Sequence, residues 1–197
     1  MKNDENPERR IRAFYTKDFI RVYQAYSDAI ADAALENGTF VSPPFSMTRM
    51  TWIKPSFLWM MYRSGWGMKD PGQKRILAVD LSHEGFKEII NQGILSHYEN
   101  VHDINKTEDF KLKIKNSDVV IQWDPERDIL LNKLNYRTIQ IGLRNKAVDD
   151  YCGKWIVNIT DVSDLASSIK KLVDLEKIDE ARKSLPTERE LIFPNTL

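Results

Sequence analysis

Alternating and continuous apolar runs predict β-strands along most of the chain. Such runs occupy residues 11–15, 19–26, 75–81, 118–123 and 155–160. Two more, 129–134 and 137–143, flank Asn135 as the arms of a hairpin would. Pro125 follows one strand directly, so the segment Asp124–Arg127 is predicted to turn a corner.

Helical signals lie between these runs. Ser27 is a candidate N-cap for a helix that ends at Asn37-Gly38, and Pro55 suits the first turn of a helix over 55–64. Shorter helices are predicted at 84–92 and 147–151, and Ser163 is the expected cap of a last helix. Residues 39–44 are expected to be extended, and the polar residues 96–115 to be mostly loop.

The order of these elements predicts an α+β fold in which short helices cross a mainly antiparallel sheet. The chain has no internal repeat and no composition break, so residues 11–197 are predicted to form one domain after a disordered lead at 1–10. The apolar piece 191–193 is expected to dock on the body of this domain.

Composition narrows the classes of function. Lys+Arg and Asp+Glu are both 29, so the whole molecule has no field that attracts nucleic acid or membrane, and a basic site must be local. No apolar run approaches the roughly 18 residues of a membrane span, and the charged start is unlike a signal peptide. We therefore predict a cytoplasmic protein. Cys152 is the only cysteine and the histidines lack ligand spacing, so we predict no metal.

Local imbalance is greatest in residues 45–67, which contain no acid. Arg49, Lys54 and Arg63 lie there among Trp52, Trp59 and other aromatic residues. One interpretation is a core helix whose Arg63 pairs with a carboxylate elsewhere. The other is a cleft for a planar, phosphorylated ligand, with rings that stack on its base and cations that bind its phosphates. The hydroxyls of Ser46 and Thr48 would add hydrogen bonds.

Two more segments offer candidate chemistry. Gln122, Asp124 and Glu126 alternate and share a face if the strand continues, whereas a turn at Pro125 would leave a solvated, charged corner. In residues 21–26, either Arg21 and Tyr23 or the opposite set with Gln24 can face a ligand. We favour Arg21 and Tyr23, close in space to residues 45–67.

Four sequence blocks carry a resemblance to a known family: VYQAYSDAIADAAL, FVSPPFSMTRMTWIKPSFLWMMYRSGWG, QWDPERD and YRTIQIGLR. They resemble the uncharacterised domain-of-unknown-function 4291 family. The order of blocks is also similar to that of the ADP-ribosyltransferase superfamily. That similarity implies Arg21 or Gln24 on a first strand, Ser46 or Thr48 on a second, and Glu126 or Asp124 as the acid, with Gln122 in a substrate-recognition turn whose spacing departs from the superfamily pattern.

The resemblance implies an ADP-ribosyltransferase-like fold and an enzyme that uses NAD as a substrate and modifies a nucleic acid or protein. Its assignments are catalytic Glu126, Tyr23 and Asp124; NAD-binding Arg21, Ser46, Thr48, Trp52, Lys54, Trp59 and Arg63; and substrate-binding Gln122 and Arg49. The alternatives are a non-catalytic nucleic-acid-binding module that uses the same basic and aromatic residues, and an enzyme acting on another nucleotide-like substrate.

Overall fold

Two β-sheets, joined at one point, form the centre of the molecule in the computed structural model, which describes residues 9–96 and 104–192. The strands are β1 (Arg12–Ala13), β2 (Ile20–Tyr26), β3 (Thr51–Ile53), β4 (Arg75–Leu81), β5 (Ile94–Leu95), β6 (Val119–Arg127), β7 (Lys133–Leu143), β8 (Ile156–Asp161) and β9 (Arg189–Glu190). The α-helices are α1 (Asp28–Asn37), α2 (Phe57–Ser64), α3 (His83–Gln92), α4 (Ile104–Asn116), α5 (Lys146–Asp150), α6 (Ser163–Asp174) and α7 (Ile178–Lys183).

The strand order is β2-β4-β8 in the first sheet and β3-β7-β6-β5 in the second, and β1 pairs with β9. All pairs are antiparallel except β5 with β6. The sheets meet where Tyr23 N donates to Lys54 O at 2.7 Å, so the middle of β2 lies beside the residue that follows β3. The fold is thus one compact α+β domain with mainly antiparallel sheets, as the sequence predicted.

Several elements match their sequence signals closely. β2, α1, α2, β4, α3 and β8 lie within about two residues of their predicted bounds. Gly38 ends α1 with φ 68°, a left-handed conformation that glycine adopts without steric cost. Ser56 caps α2 through its hydroxyl, which accepts from Trp59 N at 3.0 Å.

The predicted corner at Asp124–Arg127 is wrong, because β6 continues through Pro125 to Arg127. Pro125 pairs with Arg137 of β7, and β5 pairs only with Val120 and Ile121, so the other side of β6 has no strand partner at Pro125. A proline fits there because its missing N–H interrupts no strand pairing, and the register shift between Pro125 and Arg127 absorbs its shape.

The predicted strand 129–134 is also wrong. Asp128 accepts hydrogen bonds from Leu130 N and Asn132 N, and Leu131 has a left-handed φ of 64°. These features form a turn, so the hairpin closes at 128–132 rather than at Asn135.

Other differences are local. Much of the predicted loop 96–115 is α4, a polar helix rich in strong helix formers, whereas 97–103 lie outside the described residues. Only Arg12–Ala13 of the predicted strand 11–15 is a strand, and 42–44 form a turn. α7 follows the helix predicted to be last, and Ser163 accepts from Ile76 N instead of capping that helix with its side chain.

The predicted ends of the domain are only partly visible. Residues 1–8 of the predicted lead lie outside the described residues, and Arg9 bridges to Arg137. At the other end Leu191 packs on the core and its N–H bonds Ile11 O, while Phe193 lies outside the described residues.

Candidate functional site

A cavity of about 680 Å³ opens where the ends of β2 and β3 meet helix α2. Its walls come from residues 24–27 of β2 and the turn after it, the loop 44–50, residues 51–54, one side of α2, and the turn at Asp70–Gln73. Trp52, Lys54 and Arg63 all line it, so residues 45–67 occupy the position that the sequence predicted for them.

The cations of this cavity outnumber its acids. Arg49, Lys54 and Arg63 line it, against a single carboxylate, Asp70. Asp70 already accepts hydrogen bonds from Gly72 N and Gln73 Nε2. Among the described residues none of the three cations forms an ion pair, and Arg63 makes only a long bond of 3.4 Å to Gln73 Oε1. The expectation that Arg63 of a core helix pairs with a carboxylate is therefore not met.

Lys54 is the most unusual of the three cations because only 5% of its surface is exposed. Its Nζ lies 3.4 Å from Trp52 O and 5.5 Å from the centre of the Trp59 ring. Burial, together with the positive charge of Arg63, lowers the pKa of Lys54 to about 7, and the charge of Asp124 offsets this only in part. Lys54 is therefore divided between amine and ammonium near neutral pH.

Aromatic rings form the apolar part of the wall. Trp59 lies on the inner side of α2, and Trp52 packs over Gly142 of the neighbouring strand. A Cβ at Gly142 would come within 3.1 Å of Trp52 and 2.7 Å of Met50, so a glycine there leaves room for the indole. Ser46 lines the cavity, whereas Thr48 is exposed and does not line it, although its hydroxyl lies 3.4 Å from that of Ser46.

A buried polar network holds the two sheets together behind this wall. Gln24 Nε2 lies within hydrogen-bond distance of Thr51 Oγ1, Tyr26 OH and Trp52 O, at 2.7, 2.9 and 3.2 Å. Gln24 Oε1 accepts from Tyr151 OH at 2.6 Å. Because both ends of the amide are engaged, Gln24 fixes β2 against β3 and so sets the shape of the cavity.

The prediction that Arg21 and Tyr23 are the residues of β2 that face the cavity is wrong. Gln24 lines the cavity and neither of the other two does, because alternation along β2 turns them to the opposite side. Arg21 makes two bonds to Asp80, at 2.7 and 2.9 Å, and lies against Phe14 and Phe19. Tyr23 is 1% exposed and packs edge-on against Phe57.

Glu126 lies outside the cavity, at the N-terminal end of α2. It is 6% exposed and accepts from Ser56 Oγ and Arg127 N, both at 2.8 Å. Burial raises its pKa, although these hydrogen bonds and the charge of Arg12 act against the rise. The expectation that Glu126 faces the ligand is not met, because the residue supports the cap of α2 instead.

Asp124 and Gln122 lie together, as the alternation along β6 predicted. Gln122 Nε2 donates to Asp124 Oδ1 at 3.0 Å, and both line a separate cavity of about 360 Å³. Asp124 Oδ2 also accepts from Gln140 Nε2 at 2.7 Å, and Gln140 lines the main cavity. One side chain thus separates Asp124 from the larger cavity.

Two residues close to the site, Gln140 and Glu188, were not predicted from the sequence. Gln140 is paired with Gln122 across β6 and β7, a relation that a correct hairpin turn would have revealed. Glu188 accepts from Phe57 N at 2.6 Å and so binds the first turn of α2. Burial raises the pKa of Glu188 to about 8. It lies 131 positions from Phe57, and no local pattern connects the two.

The fold and the cavity define a small α+β protein with a ring-lined cavity whose walls carry more cations than acids. The chain belongs to the DUF4291 family, described as a domain of unknown function, whose model matches residues 10–191. The resemblance noted in the sequence to this family is therefore confirmed. None of the curated proteins matches the chain.

No group of three or more His, Cys, Asp or Glu side chains among the described residues could hold a metal ion. The helices in the same part of the chain are too short or too polar to cross a membrane.

Proposed function

We propose that the protein binds a nucleotide, NAD or a close relative, in the main cavity. The observation that carries this proposal is the presence of three cations with no carboxylate partner in a cavity that two tryptophans also line. Phosphates satisfy guanidinium and ammonium groups, and a planar base or nicotinamide stacks on indole. The volume, about 680 Å³, falls within the roughly 300–1,000 Å³ of small-molecule sites.

The positions of the cations suggest an orientation for this ligand. Arg49 and Arg63 are exposed at the mouth, where they can bind the diphosphate, while Lys54 lies deeper beside Trp52 and Trp59. Ser46 lies near Arg49 and offers a hydroxyl to the same phosphates. The ring of the ligand then lies toward the tryptophans.

The reaction that we propose for such a ligand is ADP-ribosyl transfer, on the strength of the block order described above. Loss of nicotinamide leaves an oxocarbenium ion, which a nearby carboxylate stabilises. Since Glu126 supports helix α2, we assign this part to Asp124, whose partner Gln140 faces the cavity. A turn of the Gln140 side chain would open the path between carboxylate and ribose.

Calorimetric titration with NAD, ADP-ribose and AMP tests the binding proposal. Arg63→Ala should weaken ADP-ribose binding by about 1.5–3 kcal/mol, roughly 10- to 150-fold, because a charged hydrogen bond is lost. Lys69→Ala is the matched control, since Lys69 is an exposed cation just after residues 45–67 that does not line the cavity. No binding of any of the three ligands, or equal affinity in Arg63→Ala and wild type, would remove the proposal.

The transfer reaction is tested separately by nicotinamide release from NAD. Asp124→Asn should retain NAD binding and lose about 10²-fold or more in release, the scale expected for one preorganised electrostatic group. If the wild type releases nicotinamide and Asp124→Asn releases it equally fast, Asp124 is not the carboxylate that stabilises the oxocarbenium ion. Binding without release by the wild type would leave a nucleotide-binding protein that is not a transferase.

The exposure of Arg49 and Arg63 favours the binding-module alternative as a second candidate. Exposed cations at the mouth can also bind the backbone of a single strand whose bases stack on the tryptophans. Binding of an oligonucleotide would then weaken steeply with added salt, because each phosphate contact releases a counterion. ADP-ribose held in the cavity should respond much less, so the two salt slopes distinguish the functions.

A further inference from the structure

Lys54 combines three properties that a mere phosphate-binding cation does not need. It is buried, it lines a cavity large enough for a ligand, and it forms no ion pair with a described carboxylate. Its Nζ has one long hydrogen bond, to a backbone carbonyl, and otherwise faces an indole ring. Lys69, by contrast, is exposed and does not line the cavity.

The charges around Lys54 favour the free amine. Arg63 and Arg49 line the same cavity, and Arg63 in particular disfavours a second positive charge. Asp70 is engaged by Gly72 and Gln73, and Asp124 accepts from two glutamine amides, so neither carboxylate is held against the lysine. A desolvated lysine beside another cation is the usual setting of an amine nucleophile.

We propose that Lys54 is a nucleophilic amine that forms a Schiff base with the carbonyl carbon of a phosphorylated aldehyde or ketone bound in this cavity. The phosphate part of this ligand rests on the proposed function, since it uses Arg49 and Arg63. The amine part rests on the surroundings of Lys54 alone.

The reaction balances without any cofactor. The nitrogen lone pair of Lys54 adds to the carbonyl carbon, and the carbonyl oxygen takes a proton to give a carbinolamine. Loss of that oxygen as water, with the second amine proton, leaves the C=N double bond. Proton uptake then gives the iminium ion, whose positive charge again lies near Trp59.

ADP-ribose is the natural instance of this class under the proposed function. It is what remains when NAD loses nicotinamide to water, and its ring-opened terminal ribose carries an aldehyde. Lys54 would therefore capture the hydrolysis product of the ligand that the cavity binds.

Reductive trapping tests the inference on the full chain. The protein is incubated near pH 7.5 with sodium cyanoborohydride and either ADP-ribose or pyridoxal 5′-phosphate, which unites a ring, a phosphate and an aldehyde. Cyanoborohydride delivers hydride to the iminium carbon and makes the bond permanent. Intact-mass measurement should show one adduct, and peptide mapping should place it on Lys54 at least about tenfold above Lys69, because the free-amine fraction of an ordinary lysine is far smaller at this pH.

Lys54→Met and Lys54→Arg should lose the adduct, and Lys69→Arg should retain it. The mapping on the wild type decides the question even if the Lys54 variants fold poorly. Adducts distributed evenly over exposed lysines, or none on Lys54 with either aldehyde, would overturn the inference.

Titration with ADP-ribose in the absence of reductant separates this result from the proposed function. Binding without an adduct from either aldehyde refutes the nucleophile and leaves the nucleotide site intact. An adduct of pyridoxal 5′-phosphate on Lys54 without any ADP-ribose binding supports the nucleophile and refutes the nucleotide site.

Discussion

Helix α2 lies between two groups of charged side chains that differ in whether the protein itself supplies their partners. At its N-terminal end Glu126 and Glu188 accept hydrogen bonds from Ser56, Arg127 and Phe57. On its cavity side Lys54 and Arg63 have only one long hydrogen bond each and no carboxylate. The acids are satisfied by the protein itself, and the cations are not.

This difference distinguishes charged side chains that support the fold from charged side chains that are available to bind a ligand. Carboxylates at a helix N-terminus accept from N–H groups that lack partners within the helix and lie at the positive end of its dipole, so they support the start of α2 even though burial raises the pKa of both Glu126 and Glu188. Cations left without partners beside a cavity give no such gain, and a bound anion is the partner that would satisfy them. A buried acid is thus a weaker sign of catalysis here than an unpaired buried base.

The largest effect expected from this comparison is the loss of support at the helix cap. Glu126→Ala should lower the free energy of unfolding by about 2–4 kcal/mol, because Ser56 and the Arg127 N–H lose their acceptor. Urea denaturation measures it, and Glu36→Ala, a change on the exposed side of α1, should cost less than about 0.5 kcal/mol. A stable Glu126→Ala protein that has lost only nicotinamide release would return Glu126 to the reacting centre.

Lys54→Met should raise the free energy of unfolding instead of lowering it. Below pH 7 both folded and unfolded wild type hold the Lys54 proton, and the buried charge is destabilising. As pH rises from about 7 toward 10.4 only the unfolded chain retains the proton, so the wild type gains stability over this window. Lys54→Met should be more stable than wild type by roughly 1–3 kcal/mol near pH 6 and should lack that gain, as unfolding at several pH values would show. Equal pH profiles would mean that Lys54 is well solvated.

Glu188→Gln should change how the free energy of unfolding depends on pH below about 8. The folded-state pKa of Glu188 is about 8 and the unfolded value near 4.3, so its contribution to stability is lost as pH rises between them. Glutamine can still accept from Phe57 N and removes the charge, so the advantage of the variant over wild type should grow by about 2 kcal/mol between pH 5 and pH 7. A gain that is the same at both pH values would contradict ionisation as the cause.

Arg49→Ala should give the smallest effect. Arg49 lies on the loop 44–50, whereas Arg63 is held on helix α2, so ordering the Arg49 side chain on a phosphate costs more and the contact is worth about 0.5–1 kcal/mol. Titration with ADP-ribose at low and high salt should show that this small difference disappears on screening. A loss as large as that of Arg63→Ala would instead indicate that Arg49 closes over the ligand.

Much of the cavity wall could be predicted because its signals are local. Residues 45–67 combine rings, cations and the absence of acids within one segment, and Ser56 marks the start of α2. The alternation along β6 likewise brought Gln122 and Asp124 together. These predictions needed only the period of a strand or a helix.

The rest depended on which strands lie side by side. Alternation left two possible faces for β2, and only the join between β2 and β3 at Tyr23 and Lys54 places Gln24 in the wall. Pro125 was a sound reason to expect β6 to end before it. However, no strand pairs with the other side of β6 at Pro125, so the strand can accommodate a proline there. The burial of Lys54 and the cap from Glu188 come from parts of the chain that are distant in sequence.

The cap supplied by Glu188 also sets an order of events during synthesis. The 131 positions between Phe57 and Glu188 correspond to roughly 7–26 s of translation at about 5–20 residues per second. During that interval the first turn of α2 has left the ribosome, while its acceptor does not yet exist and water must take its place. Strand β9, beside Glu188, then pairs with β1 and completes the outer layer. Helix α2, which forms one wall of the cavity, therefore has its full set of N-terminal hydrogen-bond partners only after residue 188 has been made.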